Sequence, residues 1–401
     1  VNLFEKSILS IILLFLVISV ASCTIFDKMT NENITSTRWV MGYYVGYQHG
    51  PAKQGESRQL PSDINFDYLT HIAVGIALVN SDGSLDLRFY HHTVQEGKQW
   101  VDEIISLAHK KSRKALLMIG GESNGDEILE AMRNQKEKFI NNLVNTVNTY
   151  GFDGIDIDWE DDIDGNLFVE LVKTLREKLP KKILTVPGGM INSNYQTVPK
   201  WVIDLALYID QYNVMSYYPA TAWIGSGWWS WHNSPLKGAK PNTPISVEDT
   251  LKRLSDAGFP KSKLGMGVGL YAIGYSGGIT EPNQPTDWGK NEIRGGDNYF
   301  PSWMLFNKEG LEIQKKYRKW DSNAMVPYLS IPLNEKSPFF DCNYISYDDE
   351  ESIKAKGRFA IENGYGGIIF WTISQGFIAE NPEGYREPLI KVAYESFILG
   401  K

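Results

Sequence analysis

The chain has 401 residues, of which 42% are hydrophobic and 22% charged, with 48 acidic against 40 basic side chains and a net charge of −8. That is ample material for a large core, and the acidic balance argues against a nucleic-acid surface, which needs a basic stripe. It suits a neutral polymer such as a polysaccharide, for which a surplus among the 12 Trp and 21 Tyr could supply ring-stacking surfaces. Two cysteines, Cys23 and Cys342, offer no disulfide framework, and six histidines without HExxH spacing or a Cys cluster imply no metal and no cofactor.

The N-terminus opens with a targeting segment over residues 1–23: Glu5 and Lys6 precede an apolar run from Ile8 to Val20, followed by Ala21, Ser22 and Cys23. Three readings remain open. Val20 to Cys23 resembles a bacterial lipobox, with Cys23 lipidated; Ala21 and Ser22 also suit ordinary signal peptidase; and the uncharged stretch from Ser7 to Phe26 is long enough to stay as a membrane anchor. Each places the remainder outside the cell, secreted or surface-anchored, with membrane contact only through this segment. A polar tether follows over residues 24–37, and residues 38–401 form the main domain.

From residue 38 onward strand-like and helix-like stretches alternate, the signature of βα units and a parallel sheet. Strands are expected at Trp39–Tyr47, His71–Val79, Lys114–Gly120, Gly154–Glu160, Ile183–Pro187, Gln211–Ser216, Leu264–Leu270 and Gly367–Thr372. Eight such strands close a barrel, giving a (β/α)8 TIM barrel. Periodicity predicts helices over Val101–Lys110, Gln135–Tyr150, Leu167–Leu179, Val247–Gly258 and Ser352–Gly364, the last two stopped by Gly258 and Gly364. The interval before the eighth strand is too long for one helix; Lys308–Trp320 is helix-like and Met325–Leu333 strand-like within it. Gly265, Gly267 and Gly269 lack the spacing of a dinucleotide loop and read as small residues inside a narrow barrel.

The octet from Asp153 to Glu160, DGIDIDWE, carries the chemistry. In a strand Asp156, Asp158 and Glu160 share one face, about 6.5 to 7 Å apart, while Ile155, Ile157 and Trp159 share the other. Three carboxylates so close cannot all ionise cheaply, so one should hold a proton near neutral pH, as a general acid must. The apolar interleaving argues against a calcium loop. Asp153 is out of phase and reads as structural.

The stretch from Tyr150 to Glu160 resembles the DGxDxDxE signature of family 18 glycoside hydrolases, and the DWE ending is most similar to chitinases. Supporting pieces occur in family order at Tyr43–Tyr47, Met118–Ser123 (including Gly120 and Gly121), Asn213–Tyr218, Lys263–Tyr271 and Gly366–Ser374. The resemblance implies a monomeric chitinase that cleaves β-1,4-linked N-acetylglucosamine polymers with retention, the substrate's acetamido group serving as nucleophile. It also implies a small α+β insertion, about residues 276–348, between strands seven and eight. Endo-β-N-acetylglucosaminidases and cell-wall hydrolases share the motif, and a weakly active or inactive chitin-binding lectin is the alternative of another class.

By the same resemblance Glu160 is the acid, Asp158 orients the acetamide nitrogen, Asp156 tunes the shared proton, and Tyr217 bonds the acetamido oxygen. Met215 lines the acetamido pocket and Trp371 is the floor under the reacting sugar, with Tyr47, Gly120, Gly121 and Tyr218 completing the substrate site. Two positions depart from the pattern: Tyr218 stands where relatives commonly carry Asp or Asn, and Met118 replaces a frequent Ser. Trp223, Trp228 and Trp229, in the tryptophan-rich loop after strand six, are expected to add a sugar-stacking surface.

Overall fold

The computed structural model describes residues 38–53, 55–194, 197–219 and 227–401; the targeting segment, Cys23, the tether and Trp223 lie outside the described residues. Strands β1 (Trp39–Val45), β2 (His71–Val79), β3 (Lys114–Gly120), β4 (Gly154–Asp158), β5 (Ile183–Gly188), β6 (Gln211–Val214), β7 (Leu264–Gly269) and β8 (Gly367–Trp371) pair in parallel, each with the next. β8 and β2 both pair with β1, which closes the (β/α)8 barrel. Both faces of these strands are covered, which explains their nearly continuous apolar runs. Along β1, Trp39, Met41, Tyr43 and Val45 enter the barrel interior with Ala73, Leu116, Met118 and Ile369. Val40 and Tyr44 point the other way, into the layer shared with the helices.

Several strands stop earlier than alternation suggests: β1 at Val45, β4 at Asp158 and β6 at Val214. Tyr47 consequently stands on a 3-10 turn (Gly46–Gln48), and Glu160 and Tyr217 on loops, at the C-terminal mouth, where chain direction is set by turns and no longer by the pleat. The first long helix, Val94–Lys110, begins seven residues before the expected Val101 because Thr93 and Glu96 form a capping box, each side chain bonding the other's backbone N–H. Its first turns carry few apolar residues, so periodicity does not reveal them.

Between β7 and β8 lies a five-stranded antiparallel sheet in the order Ile293–Gly295, Ile273–Tyr275, Tyr344–Ser346, Val326–Ser330, Arg318–Asp321. The helix Lys308–Tyr317 packs with it, ending before the expected Trp320 because Arg318–Asp321 pairs with Val326–Leu329 as an edge strand. Arg318 is also drawn out of helical continuation by Asp349, its Nε donating to Oδ2 at 2.9 Å. One tyrosine-rich cluster, Tyr271, Tyr275, Tyr328 and Tyr344, packs against Tyr217 and Trp371, so the insertion's core continues into the barrel mouth. Among the described residues no helix is long and apolar enough to cross a membrane.

The helix Glu350–Asn363 returns the chain to β8 and is anchored by a buried ion pair between Lys356 and Asp348, with Ser352 Oγ also donating to Asp348 at 2.6 Å. Burial pulls the Lys356 ammonium below its ordinary value, and Asp348 opposes that. Lys356→Met should lower unfolding stability by about 3–5 kcal/mol, because it strands a buried carboxylate. Adding Asp348→Asn should restore part of that loss. Chemical denaturation of the three proteins checks this, and equal midpoints for the single and double variants would contradict it.

Candidate active site

The local fold of β3 and β4 sets the floor of the site. Gly120 and Gly121 adopt φ of 88° and 91°, and the Gly121 N–H donates to the Asp158 carbonyl at 2.7 Å. A Cβ on Gly120 would fall 2.2 Å from that carbonyl oxygen, so only glycine lets the end of β3 close onto the end of β4. Gly120 thus shapes the floor while buried, and Gly121 is the residue nearer the carboxyl, its Cβ direction 3.9 Å from Asp158 Oδ2.

Asp156 is fully buried and accepts a hydrogen bond from Thr185 Oγ1 on β5. Burial raises it to about 6, against the opposing hydroxyls of Thr185 and Tyr43. Asp158 is enclosed as well, and its Oδ1 has no hydrogen-bond partner. Burial first, and then the charges of Glu160 and Asp156, hold Asp158 well above the carboxylate range. Glu160, at the mouth, is solvent-accessible between the cleft walls; partial burial and then Asp161 raise it to about 7, while its bond with Asp158 pulls the other way. Asp158 and Glu160 therefore titrate as a pair around a shared proton. Asp153 lies at the opposite end of the strand, bonded to the Ala115 N–H at 2.9 Å and to His109 and Lys114, a structural position.

Tyr217 enters this space because β7 is stripped of side chains there. A Cβ on Gly267 would lie 2.8 Å from Tyr217 Cε1, and one on Gly269 would lie 3.2 Å from Tyr217 Cβ. Gly267 and Gly269 are thus the seat of that ring, which meets Tyr271 edge-on at 6.0 Å. Met215, partly buried, continues β6 with its N–H on the Gly188 carbonyl at 2.8 Å. Tyr218 is 40% exposed, has a left-handed φ of 46°, and donates its N–H to Asn233 Oδ1 at 2.9 Å. Its ring lies against Gly296 of the insertion.

Trp371 ends β8 with its ring 5.4 Å from that of Tyr43. Its indole is fixed by Asp297: Nε1 donates to Oδ2 at 2.9 Å, and Gln375 Nε2 donates to Oδ1 at 2.6 Å. Gln375 Oε1 in turn accepts the Asn298 N–H at 3.0 Å, and Gln48 Nε2 donates to Asn298 Oδ1 at 2.8 Å. Sequence reasoning missed Asp297 and Gln375; the available signal was the Gly295–Gly296–Asp297–Asn298 turn inside the insertion. Tyr47 stands at the rim, its ring 5.2 Å from Tyr90 rather than against Trp371.

The tryptophan-rich loop divides. Trp231 is buried, its Nε1 on the Ile245 carbonyl, and the adjoining His232 is buried between Asp321 and Tyr344 of the insertion sheet. Trp228 and Trp229 remain partly exposed, pinned by Thr286 and by a bridge to Pro285. Among the described residues no group of His, Cys, Asp and Glu is arranged to hold a metal ion.

A closed (β/α)8 barrel with a row of carboxyl groups at the end of its fourth strand and an aromatic floor on its eighth defines the class. The chain belongs to the glycosyl hydrolases family 18, whose family model matches residues 39–376. It is 28% identical over 298 residues to Chitinase A1 of Niallia circulans, covering 65% of this chain and 40% of that protein. It is also 28% identical over 374 residues to a probable endochitinase of Caenorhabditis elegans, covering 85% and 57%. The chain thus spans less than two thirds of either relative. The fold matches a Group IV chitinase of Ostrinia furnacalis solved with allosamidin, at TM-score 0.72 and 22% identity, covering 91% of this chain and 100% of that one.

Carbon-13 NMR of labelled side-chain carboxyls should show Glu160 releasing its proton near pH 7. Asp161→Asn removes a neighbouring negative charge and should move that titration to lower pH. Titration of Glu160 in the ordinary carboxylate range in both proteins would contradict the reading.

Proposed function

We propose that the protein is a chitinase that hydrolyses β-1,4 bonds between N-acetylglucosamine units with retention, the substrate's acetamido carbonyl acting as nucleophile. The carrying observation is an enclosed Asp158 carboxyl with one unpartnered oxygen beside a Glu160 carboxyl held protonated to about pH 7. Glu160 donates its proton to the glycosidic oxygen as that bond breaks. The acetamido oxygen then bonds to the anomeric carbon, forming a cyclic oxazolinium ion whose N–H is received by Asp158. Water next attacks the anomeric carbon, losing a proton to Glu160 as the bond from that carbon to the acetamido oxygen breaks and the acetamide is restored, and two displacements restore the original configuration.

Asp156 sits deeper and keeps negative charge near Asp158 without solvent, so the proton is retained between the carboxyls until the acetamide arrives. The Tyr217 hydroxyl bonds the acetamido oxygen where charge develops. Trp371, fixed by Asp297, underlies the reacting sugar, and Met215 borders its acetamido group. Tyr47, Gly121, Tyr218, Trp228 and Trp229 belong to the rim over which the rest of the polymer passes. The names of the relatives support chitin as the polymer. We also propose export through residues 1–23 and attachment at the surface through Cys23. Fatty-acid label lost in Cys23→Ser checks the attachment.

Incubation with chitin hexamer, a high-mannose glycopeptide and peptidoglycan, each read by product mass, tests the activity. Cleavage of the hexamer alone is expected, and Glu160→Gln should lower turnover about a hundredfold or more while oligosaccharide binding persists. Glycopeptide or peptidoglycan cleavage with an intact hexamer would transfer the reading to a neighbouring activity. Binding without cleavage of any substrate would make the protein a lectin.

A further inference from the structure

One carboxylate of the cleft has no part in the chemistry above. Glu122 follows the Gly120–Gly121 pair at the end of β3, the strand beside β4. Its backbone is strapped on both sides to the loop that bears Glu160: the Gly121 N–H bonds the Asp158 carbonyl at 2.7 Å, and the Ser123 N–H bonds Asp161 Oδ2 at 2.8 Å. Residue 122 therefore cannot swing away from the mouth. Its side chain is exposed and has no hydrogen bond or ion pair to another described residue. After burial, which dominates in each case, the Glu122 charge adds to the upward shifts of Glu160, Asp297 and Tyr218, so it lies within electrostatic reach of groups on both walls of the cleft. The charges that raise Glu160 come from Asp161 and Glu122, while its hydrogen bond with Asp158 pulls the other way.

An unpaired carboxylate whose backbone is held beside an acid that must donate a proton is unfavourable for a wholly neutral substrate. It lifts the proton affinity of Glu160 and leaves a charge to be partly desolvated as polymer fills the cleft. A cation on the polymer would relieve both effects. The reacting sugar must keep its acetyl group, since that group is the nucleophile, so the cation has to sit on a neighbouring unit. Because Glu122 is anchored next to the proton donor, that neighbour is the unit leaving with the glycosidic oxygen.

We propose that Glu122 is a specificity-determining residue that selects glucosamine, with its ammonium group, as the sugar on the leaving-group side of the cleaved bond, so that partially deacetylated chitin is a preferred substrate. The proposal rests on the chitinase reading. An exposed ion pair of this kind corresponds to about a twofold to fivefold preference. The preference should weaken with salt.

The test is digestion of a partially deacetylated chitin in weakly acidic buffer, with the new chain ends identified by NMR and mass spectrometry. New non-reducing ends report the leaving-side sugar and should be enriched in glucosamine about twofold to fivefold over the polymer composition. Glu122→Gln should abolish that enrichment, and Glu122→Lys should deplete glucosamine below the polymer composition. Equal glucosamine content at the non-reducing ends made by the parent and by Glu122→Gln would overturn the proposal. New reducing ends report the reacting sugar, and their being other than N-acetylglucosamine would instead overturn the acetamido-assisted reading on which the proposal rests.

Discussion

Asp156 and Asp158 are enclosed in the barrel interior, and among the described residues neither has an ion-pair partner. Burying an unpaired carboxylate is costly, so burial raises both groups toward the protonated form, and the neighbouring charge of Glu160 at the mouth raises Asp158 further. Much of the surrounding architecture serves to keep these groups dry, close and in line. The β3 glycines bring one strand end against the Asp158 carbonyl, and Thr185 of β5 holds Asp156 from the other side. Protons therefore reside on the acidic row near neutrality because of where it is, with no need for an unusual side chain.

The opposite wall depends on the insertion. Its sheet presents tyrosines that pack against Tyr217 and Trp371, and its turn carries the Asp297 that receives the Trp371 indole. His232, buried between Asp321 and Tyr344, ties the loop after β6 to the same sheet. An insertion between β7 and β8 thus packs against residues at the ends of β6 and β8. Tyr218 belongs to this wall too: its left-handed backbone is held by Asn233 and its ring rests on Gly296, so an aromatic side chain occupies this part of the rim.

The barrel was legible because strands buried on both faces read as continuous apolar runs, and because alternation in DGIDIDWE puts acids on a single face. Alternation expects Glu160 at the end of the fourth strand, whereas the strand stops at Asp158 and Glu160 is exposed two residues beyond it. The meaning of Gly265, Gly267 and Gly269 was only half visible: smallness could be read from sequence, but that Trp39 and Asn213 fill the space at the first and Tyr217 the space at the other two depends on β6 lying beside β7. The glycine-rich turn marked the place of Asp297, but its role with Trp371 and Gln375 depends on contacts spanning 74 to 78 residues that no local period encodes. Glu122 lay in plain view beside the glycine pair, yet its significance comes from two backbone bonds to the neighbouring loop.

The account turns on the acetamido group and the Asp158–Glu160 pair acting together at one carbon. Proton NMR of chitin-hexamer digests, recorded before the products equilibrate, reads the outcome directly. Two displacements at the anomeric carbon predict that the first reducing ends formed are β anomers. Initial α anomers would mean that water attacks the intact glycoside directly, and would contradict the account.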